Sequence, residues 1–163
     1  MSDAVTSPNI AENGKGVRSA VLIISLAIAC GLAAPLPYLE SLDAEWAWDD
    51  FVLIVNNVSG IDEWSDAVRN FTTPVVDSEK VGYYRPLLIS SFVVDYAISG
   101  LNPGGFHRTN LVIHGVNTAL VFLLLLVLLR RRAACVLGAM LFAWHPMQVQ
   151  AVALLLGRND MLL

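Results

Sequence analysis

The sequence has few charged residues and none of the common signatures of soluble enzymes. Charged residues make up 15% of the chain against 56% hydrophobic residues, which is too apolar for an ordinary soluble domain. No HExxH, CxxC pair or close histidine cluster marks a metal site, so we predict no metal ligands. A P-loop, a glycine-rich dinucleotide fingerprint and a GxSxG elbow are also missing. These absences leave a membrane protein as the expected class.

Cysteine is equally scarce. Cys30 and Cys135 are the two cysteines of the chain, and both fall inside predicted membrane spans, where they behave as small apolar residues. No disulfide framework is implied. The residues before Cys30 resemble a lipoprotein cleavage box only weakly, because such boxes usually contain a leucine that is missing here. We therefore interpret the first apolar segment as a membrane span.

Long apolar runs organise the rest of the chain. Residues 19–39 and 109–129 each reach the roughly 20 residues that cross a bilayer, and a shorter run follows at 133–145. The predicted fold is all-α: a polytopic helical membrane protein with about three transmembrane helices plus the start of a fourth. Residues 1–18 are predicted to be a disordered cytoplasmic tail, and residues 146–163 a non-cytoplasmic segment that starts the fourth helix.

Basic residues predict the orientation. Lys15 and Arg18 precede the first span, and residues 130–132, all arginine, form a turn after the second. Because cytoplasmic flanks favour Lys and Arg, the N-terminus is expected inside. Residues 40–108 then form a large non-cytoplasmic loop with 11 acidic and four basic residues. Such an acidic face gives no reason to expect nucleic-acid binding.

The loop itself is predicted to contain interfacial helices. Residues 45–58 mix tryptophans and aliphatic residues with two aspartates, which is typical of a short helix at the interface. Residues 86–99 begin with proline and stop before a glycine, and their apolar core is too short to span. The polar residues 62–82 between them are expected to be an exposed connection.

Polar residues also follow one face of the second span. His107, Asn110, His114 and Asn117 are spaced by three, four and three residues, which places them on one side of a helix. Polar groups in lipid are costly unless paired, so this stripe should face other helices or a wet cavity. Hydrogen bonds between helices explain it without any ligand, whereas His107, at the outer end, could equally neighbour a ligand.

The adjacent carboxylates Asp49 and Asp50 are the candidates for catalysis. A general base beside a second carboxylate is useful because like charges in close contact raise one pKa. An Asp-Asp pair in a loop is also compatible with a solvated turn or a helix cap. Its position close to the first span, among tryptophans, favours the catalytic interpretation.

Cations on the same side of the membrane suggest a phosphate. Arg85 and Arg158 are the best candidates, since a guanidinium binds phosphate oxygens through paired hydrogen bonds. Salt bridges to nearby acids are the alternative for both. His145, followed by Pro146, could bind the same group or simply end the third helix.

Together these segments resemble a known family. WAWDDFVLIVNN, YYRPLLISSFVVDYAISGLNPGGFHRTNLVIHGVNTALVF and LFAWHPMQVQAVALLLGRNDMLL are similar to the N-terminal membrane portion of the transmembrane and tetratricopeptide-repeat O-mannosyltransferases and their bacterial relatives. The similarity covers residues 45–163, and the aspartate pair, RPL, GFHxxN, HxxN, LFAxHP and GRxD occur in the same order. These enzymes are GT-C glycosyltransferases.

The resemblance implies a reaction and a site. A sugar, mannose in characterised members, would pass from a polyprenyl-phosphate donor to a hydroxyl of a protein or glycan acceptor on the non-cytoplasmic side. By similarity, Asp49 and Asp50 are catalytic, with Asp49 as the base, and Asp160 shapes the donor site. Arg85, His107, Arg158 and His145 would neighbour the donor phosphate. No cofactor is certain, and a divalent metal ion is left open.

Family members carry many more helices, so the chain is expected to be a fragment or one part of a split transferase. The competing class is a non-enzymatic membrane anchor or assembly partner with an acidic loop. A proton pathway along the histidine and asparagine stripe is less favoured, because no carboxylate lies inside a span. A bacterial inner membrane is the favoured location, with the endoplasmic reticulum as the alternative.

Overall fold

The computed structural model describes residues 10–72 and 84–162, and the regular secondary structure of these residues is helical, with no strand. The predicted tail before Ile10, residues 73–82 of the predicted connection, residue 83 and the last residue lie outside the described residues. Within the described ranges the α-helices are α1 (Ile10–Ala33), α2 (Trp64–Arg69), α3 (Pro86–Ser99), α4 (Pro103–Leu129), α5 (Arg132–Ala143), α6 (Gln148–Ala153) and α7 (Arg158–Leu162). Leu36–Asp43 and Val58–Gly60 are 3₁₀ helices, and Phe51–Val55 is a π-helical turn.

Two helices are long and apolar enough to cross a membrane: α1, over Gly16–Ala33, and α4, over Pro103–Leu129. Helix α5 has 12 residues, or about 18 Å at 1.5 Å per residue, against a hydrocarbon core of roughly 30 Å. The predicted third span therefore corresponds to a helix too short to cross alone. The all-helical class is confirmed, with two candidate spans in the described residues.

The ends of the two long helices follow from local sequence. Helix α1 begins at Ile10, inside the predicted tail, and ends at Ala33, because Pro35 and Pro37 lack the backbone N–H that a continuing helix needs. Helix α4 begins at Pro103, six residues before the predicted boundary. Asn102 caps it by accepting a hydrogen bond from the Gly104 N–H at 3.0 Å, and proline suits the first helical position.

Helices α1 and α4 cross at a pair of glycines. A Cβ built on Gly31 would lie 2.9 Å from the Gly115 carbonyl oxygen, and one built on Gly115 would lie 2.7 Å from the Gly31 oxygen. Glycine allows this close backbone approach, which is common between membrane helices. Helix α5 returns along α4, and the three helices share a cluster of buried residues: Ala27, Cys30, Phe122, Cys135 and Ala139.

The polar stripe of α4 holds other elements against this helix. His114 Nε2 lies 3.0 Å from the Ala143 carbonyl oxygen, which also accepts a hydrogen bond from the Tyr38 hydroxyl at 2.9 Å. Asn110 donates to the carbonyls of Val152 and Leu154 at 3.0 and 3.1 Å. The interpretation of the stripe as hydrogen bonding between helices is confirmed for these residues.

A second core lies beside the outer part of α4. Helix α3 covers residues 86–99, as predicted, and packs with the π-helical turn and with Phe106 of α4. Residues 45–58 are not one helix, because a turn precedes the five-residue π-helical turn. The buried members of this core are Leu53, Ile54, Ile61, Leu88, Ile89, Phe92, Val93, Phe106 and Leu155. This core positions the 47–50 turn and helix α7 next to each other.

Candidate functional site

One cleft collects polar residues from three separate parts of the chain. It has a volume of about 610 Å³, within the roughly 300–1,000 Å³ typical of ligand sites. The lining residues are Ala47, Trp48, Asp49, Asp50, Arg85, Gln150, Leu154, Leu156, Gly157 and Asp160. Four of the seven predicted site residues, Asp49, Asp50, Arg85 and Asp160, are thus brought together.

The two adjacent aspartates have different environments. Asp50 is 4% exposed, and its carboxylate accepts a hydrogen bond from the Ala47 N–H at 3.0 Å. Its own N–H donates to the Ala47 carbonyl, also at 3.0 Å. Asp50 therefore closes the 47–50 turn, whereas the side chain of Asp49 is exposed at the cleft. Both aspartates line the cleft, but the predicted base Asp49 is exposed there, whereas Asp50 is buried and holds the turn.

Burial changes the protonation behaviour of Asp50. Loss of solvent around the carboxyl group raises the pKa of Asp50, and the Ala47 N–H partly offsets this by stabilising the anion. The neighbouring negative charge of Asp49 raises the pKa of Asp50 further. These are the expected effects of desolvation, hydrogen bonding and a like charge on a carboxylic acid.

Trp48 lies at the tip of the same turn in an unusual conformation. Its φ is 47°, and the side chain is 88% exposed. A residue with a side chain in the left-handed region carries about 1–2 kcal/mol of conformational cost, and such outliers cluster at functional sites. The hydrogen bonds between Asp50 and Ala47 on either side of Trp48 hold it there.

The opposite wall of the cleft is a tight connection between α6 and α7. A Cβ at Gly157 would collide with the Gln150 carbonyl oxygen and lie 2.8 Å from Ala151 Cα, so only glycine fits at this close approach. The Gly157 N–H donates to Leu154 at 3.1 Å, and Asp160 donates its N–H to Gly157 at 3.0 Å. This compact connection presents Asp160, whose side chain is exposed, to the cleft.

Arg158 differs from its predicted position beside the donor phosphate. The residue is 0% exposed, and its Nη1 lies 2.6 Å from Asp95 Oδ2. The guanidinium also donates to Asn110 Oδ1 at 2.6 Å, to Ser91 Oγ at 2.8 Å and to the Phe106 carbonyl at 2.8 Å. Because these internal partners occupy all three of its nitrogens, Arg158 is a buried anchor, and the salt bridge given as its alternative is the observed contact.

The histidines also lie apart from the lining residues. His107 is 2% exposed on α4, and neither ring nitrogen has a hydrogen-bond partner among the described residues. His145 is exposed beyond the end of α5, where its Nδ1 accepts a hydrogen bond from the Met147 N–H at 3.2 Å. This position of His145 fits the alternative in which His145 and Pro146 end the third helix. Donor binding by either histidine stays a prediction.

Asp95 is the residue that sequence reasoning missed. It is 2% exposed on α3 and pairs with Arg158, and the Thr109 hydroxyl donates to its Oδ1 at 2.6 Å. A signal was present, because an aspartate in the middle of the apolar run of residues 86–99 requires a buried partner. Among the described residues no group of three or more His, Cys, Asp or Glu side chains could hold a metal ion.

Proteins of one kind are similar to this chain over most of its length. The protein O-mannosyl-transferase Tmtc1 of Drosophila melanogaster is 39% identical over 136 residues, which are 81% of this chain and 16% of that protein. Tmtc2 of the same organism is 40% identical over 137 residues, or 81% of this chain and 14% of that protein. Human TMTC2 is 34% identical over 136 residues, with shares of 81% and 16%.

The resemblance to the transmembrane and tetratricopeptide-repeat O-mannosyltransferases is therefore confirmed. The chain spans 14 to 16% of the length of these three curated relatives. No protein-family model matches the chain, and no solved structure matches it.

Proposed function

We propose that this chain forms the N-terminal portion of a membrane glycosyltransferase, and that this portion activates the acceptor and binds the donor. The sugar, mannose by similarity to the O-mannosyl-transferases, passes from a polyprenyl-phosphate donor to a hydroxyl group of a protein. One observation carries the proposal: Asp49, Arg85 and Asp160, which are far apart in sequence, line one cleft in a chain similar to enzymes of that name.

Asp49 is the proposed general base. Its exposed carboxylate at the cleft accepts the proton of the acceptor hydroxyl while that oxygen attacks the anomeric carbon. The bond between the anomeric carbon and the phosphate oxygen breaks at the same step, so the sugar inverts and polyprenyl phosphate leaves. Asp50 supports this step by closing the turn that presents Asp49.

The opposite side of the cleft would receive the donor. Asp160 accepts hydrogen bonds from sugar hydroxyl groups, and Arg85 stabilises the charge that develops on the leaving phosphate. Positioning of both substrates between the 47–50 turn and α7 supplies the orientation that a direct displacement needs. His107 and His145 have no assigned role in this proposal, because neither lines the cleft.

The reaction is proposed for the non-cytoplasmic side of the membrane. Basic residues flanking the predicted spans favour a cytoplasmic N-terminus, which places the cleft residues of the 40–108 loop outside. The three relatives named above come from animals, which supports the endoplasmic reticulum over the bacterial inner membrane as the host compartment.

Glycosyl transfer in isolated membranes tests the proposal. The chain is expressed with whatever coding sequence continues it, and radiolabelled polyprenyl-phosphate mannose is supplied with a serine- and threonine-rich protein acceptor. Asp49→Asn is expected to lower transfer by at least about 100-fold, because general-base catalysis contributes roughly 10²–10⁴-fold. Asp62→Asn is the matched control, since Asp62 is exposed and lies outside the cleft.

Each result has a defined meaning. Transfer that is lost with Asp49→Asn and retained with Asp62→Asn supports the transferase. Equal transfer by both variants would remove Asp49 from catalysis. Absence of transfer by a stably inserted, full-length protein would favour the alternative of a non-enzymatic membrane anchor or assembly partner.

A further inference from the structure

Helix α7, which presents Asp160 to the cleft, is fixed at both of its ends by side chains of other helices, the buried Asp95 and the partly buried Asn117. At its start, Arg158 is paired with Asp95 of α3 at 2.6 Å. Near its end, the carbonyl oxygen of Met161 accepts a hydrogen bond from Asn117 of α4 at 2.8 Å. Asp160 lies between these two points.

The same network reaches the connection that precedes α7. Asn110 accepts a hydrogen bond from Arg158 through Oδ1 and donates through Nδ2 to Val152 and Leu154. Leu154 is itself a residue of the cleft wall. Asn110 therefore links the Arg158 guanidinium to the backbone of the segment that forms one wall of the cleft.

The surroundings of Arg158 restrict the orientation of its guanidinium group. The guanidinium packs 4.8 Å from the centre of the Phe92 ring, and Asp95 is held from its other side by the Thr109 hydroxyl at 2.6 Å. A planar guanidinium with its donors in a fixed fork accepts few alternative arrangements. The orientation of α7 is thus coupled to the orientation of α3.

We propose that Asp95 and Arg158 are positioning residues, which set the distance between Asp160 and the 47–50 turn across the cleft. Neither residue touches substrate. This inference deepens the proposed function, and its relevance to sugar transfer rests on that function, but its main test measures geometry and needs no turnover.

Distance measurement between two nitroxide labels tests the proposal directly. Labels are attached to Ala47→Cys and Asp160→Cys in the full chain in lipid nanodiscs, with the buried Cys30 and Cys135 replaced by alanine. Asp95→Asn keeps the shape of the side chain and removes the negative charge that holds Arg158. It is expected to broaden the distance distribution and to shift its maximum.

Two further variants complete the experiment. Asn117→Ala removes the second anchor alone and is expected to broaden the distribution, which keeps the test valid if Asp95→Asn does not fold. Phe122→Ala is the control, because Phe122 is fully buried in the cluster of α1, α4 and α5. It should lower the unfolding temperature and leave the distance distribution unchanged.

The outcomes separate positioning from plain stabilisation. If both anchor variants lower the unfolding temperature without changing the distribution, the pair is only structural and the proposal is wrong. The same conclusion follows if Phe122→Ala broadens the distribution equally. In a complete protein that transfers sugar, Asp95→Asn should lower kcat/KM about 10- to 100-fold, since small misplacements cost up to about 10²-fold. If Asp95→Asn shifts the distance between the labels and leaves turnover unchanged, Asp160 does not bind the donor. Asp95 and Arg158 would then still be the residues that position α7.

Discussion

The Asp50 carboxylate and the Ala47 backbone form a closed ring of two hydrogen bonds, both 3.0 Å long. This ring fixes the residues between them, Trp48 and Asp49, at the tip of a turn. Asp50 therefore holds the turn that presents Asp49 to the cleft. Substitutions of Asp50 should change the conformation of this turn, and through it the position of Asp49.

Asp50→Asn and Asp50→Ala should have different effects. The amide oxygen of asparagine can still accept the Ala47 hydrogen bond, whereas alanine removes the acceptor. Loss of such a contact costs about 0.5–2 kcal/mol, so Asp50→Ala should lower the free energy of unfolding by that amount, with little change for Asp50→Asn. Thermal unfolding in nanodiscs measures both. Equal destabilisation by the two variants would show that the hydrogen bond does not hold the turn.

The raised pKa of Asp50 predicts a pH effect of known sign. Burial raises the pKa of Asp50 in the folded protein, so the folded state binds the proton more tightly than the unfolded state. The stability from this group is present below the unfolded pKa and is lost as pH rises through the folded pKa. Asp50→Asn should remove that part of the pH dependence of unfolding. Parallel pH curves for the wild type and the variant would contradict the assignment.

The glycine contact between α1 and α4 predicts a position-specific packing defect. Gly31→Val should lower the free energy of unfolding by about 1–3 kcal/mol, the usual cost of overpacking, because the new side chain would meet the Gly115 carbonyl. Gly16→Val, on the same helix, is the control, since a Cβ at Gly16 would meet no atom of the described residues within 4 Å beyond its chain neighbours and the backbone of its own helix. A similar loss in both variants would point to helix propensity or membrane insertion as the cause.

The buried ion pair predicts strong coupling between its members. Asp95→Leu or Arg158→Met alone leaves one uncompensated buried charge and should cost about 3–5 kcal/mol. The double variant removes both charges and should be destabilised by clearly less than the sum of the single effects. Denaturant unfolding of all four proteins gives the coupling free energy. Additive losses would mean that the two residues act independently.

Local sequence was sufficient to predict the helices whose boundaries carry strong signals. Helix α3 begins at Pro86 and ends before Gly100, and both residues are recognised helix-boundary types. Helix α4 begins at Pro103, six residues before the predicted span, because the Asn-Pro cap starts the helix ahead of the apolar run. Residues 45–58 were overestimated as a helix, because tertiary packing bends them into a turn and a short π-helical segment.

Candidate site residues could be chosen from sequence only where residue type alone is informative, and their roles stay predictions. The gathering of Asp49, Arg85 and Asp160 at one cleft agrees with the residues chosen from sequence. Arg158 was assigned to the donor because its charge was visible, whereas its burial against Asp95 depends on how α3 packs. Charge is a property of the sequence, but the direction in which a long side chain points is a property of the packing.

The double anchoring of α7 also restricts the length of this segment. One residue inserted between Arg158 and Met161 would turn everything after it by about 100°. The Met161 carbonyl could then no longer face Asn117 while Arg158 stays paired. Proteins that share this arrangement should therefore keep Arg158, Asp160 and the number of residues between the two fixed ends, whereas the side chain at Asn159 is free to differ.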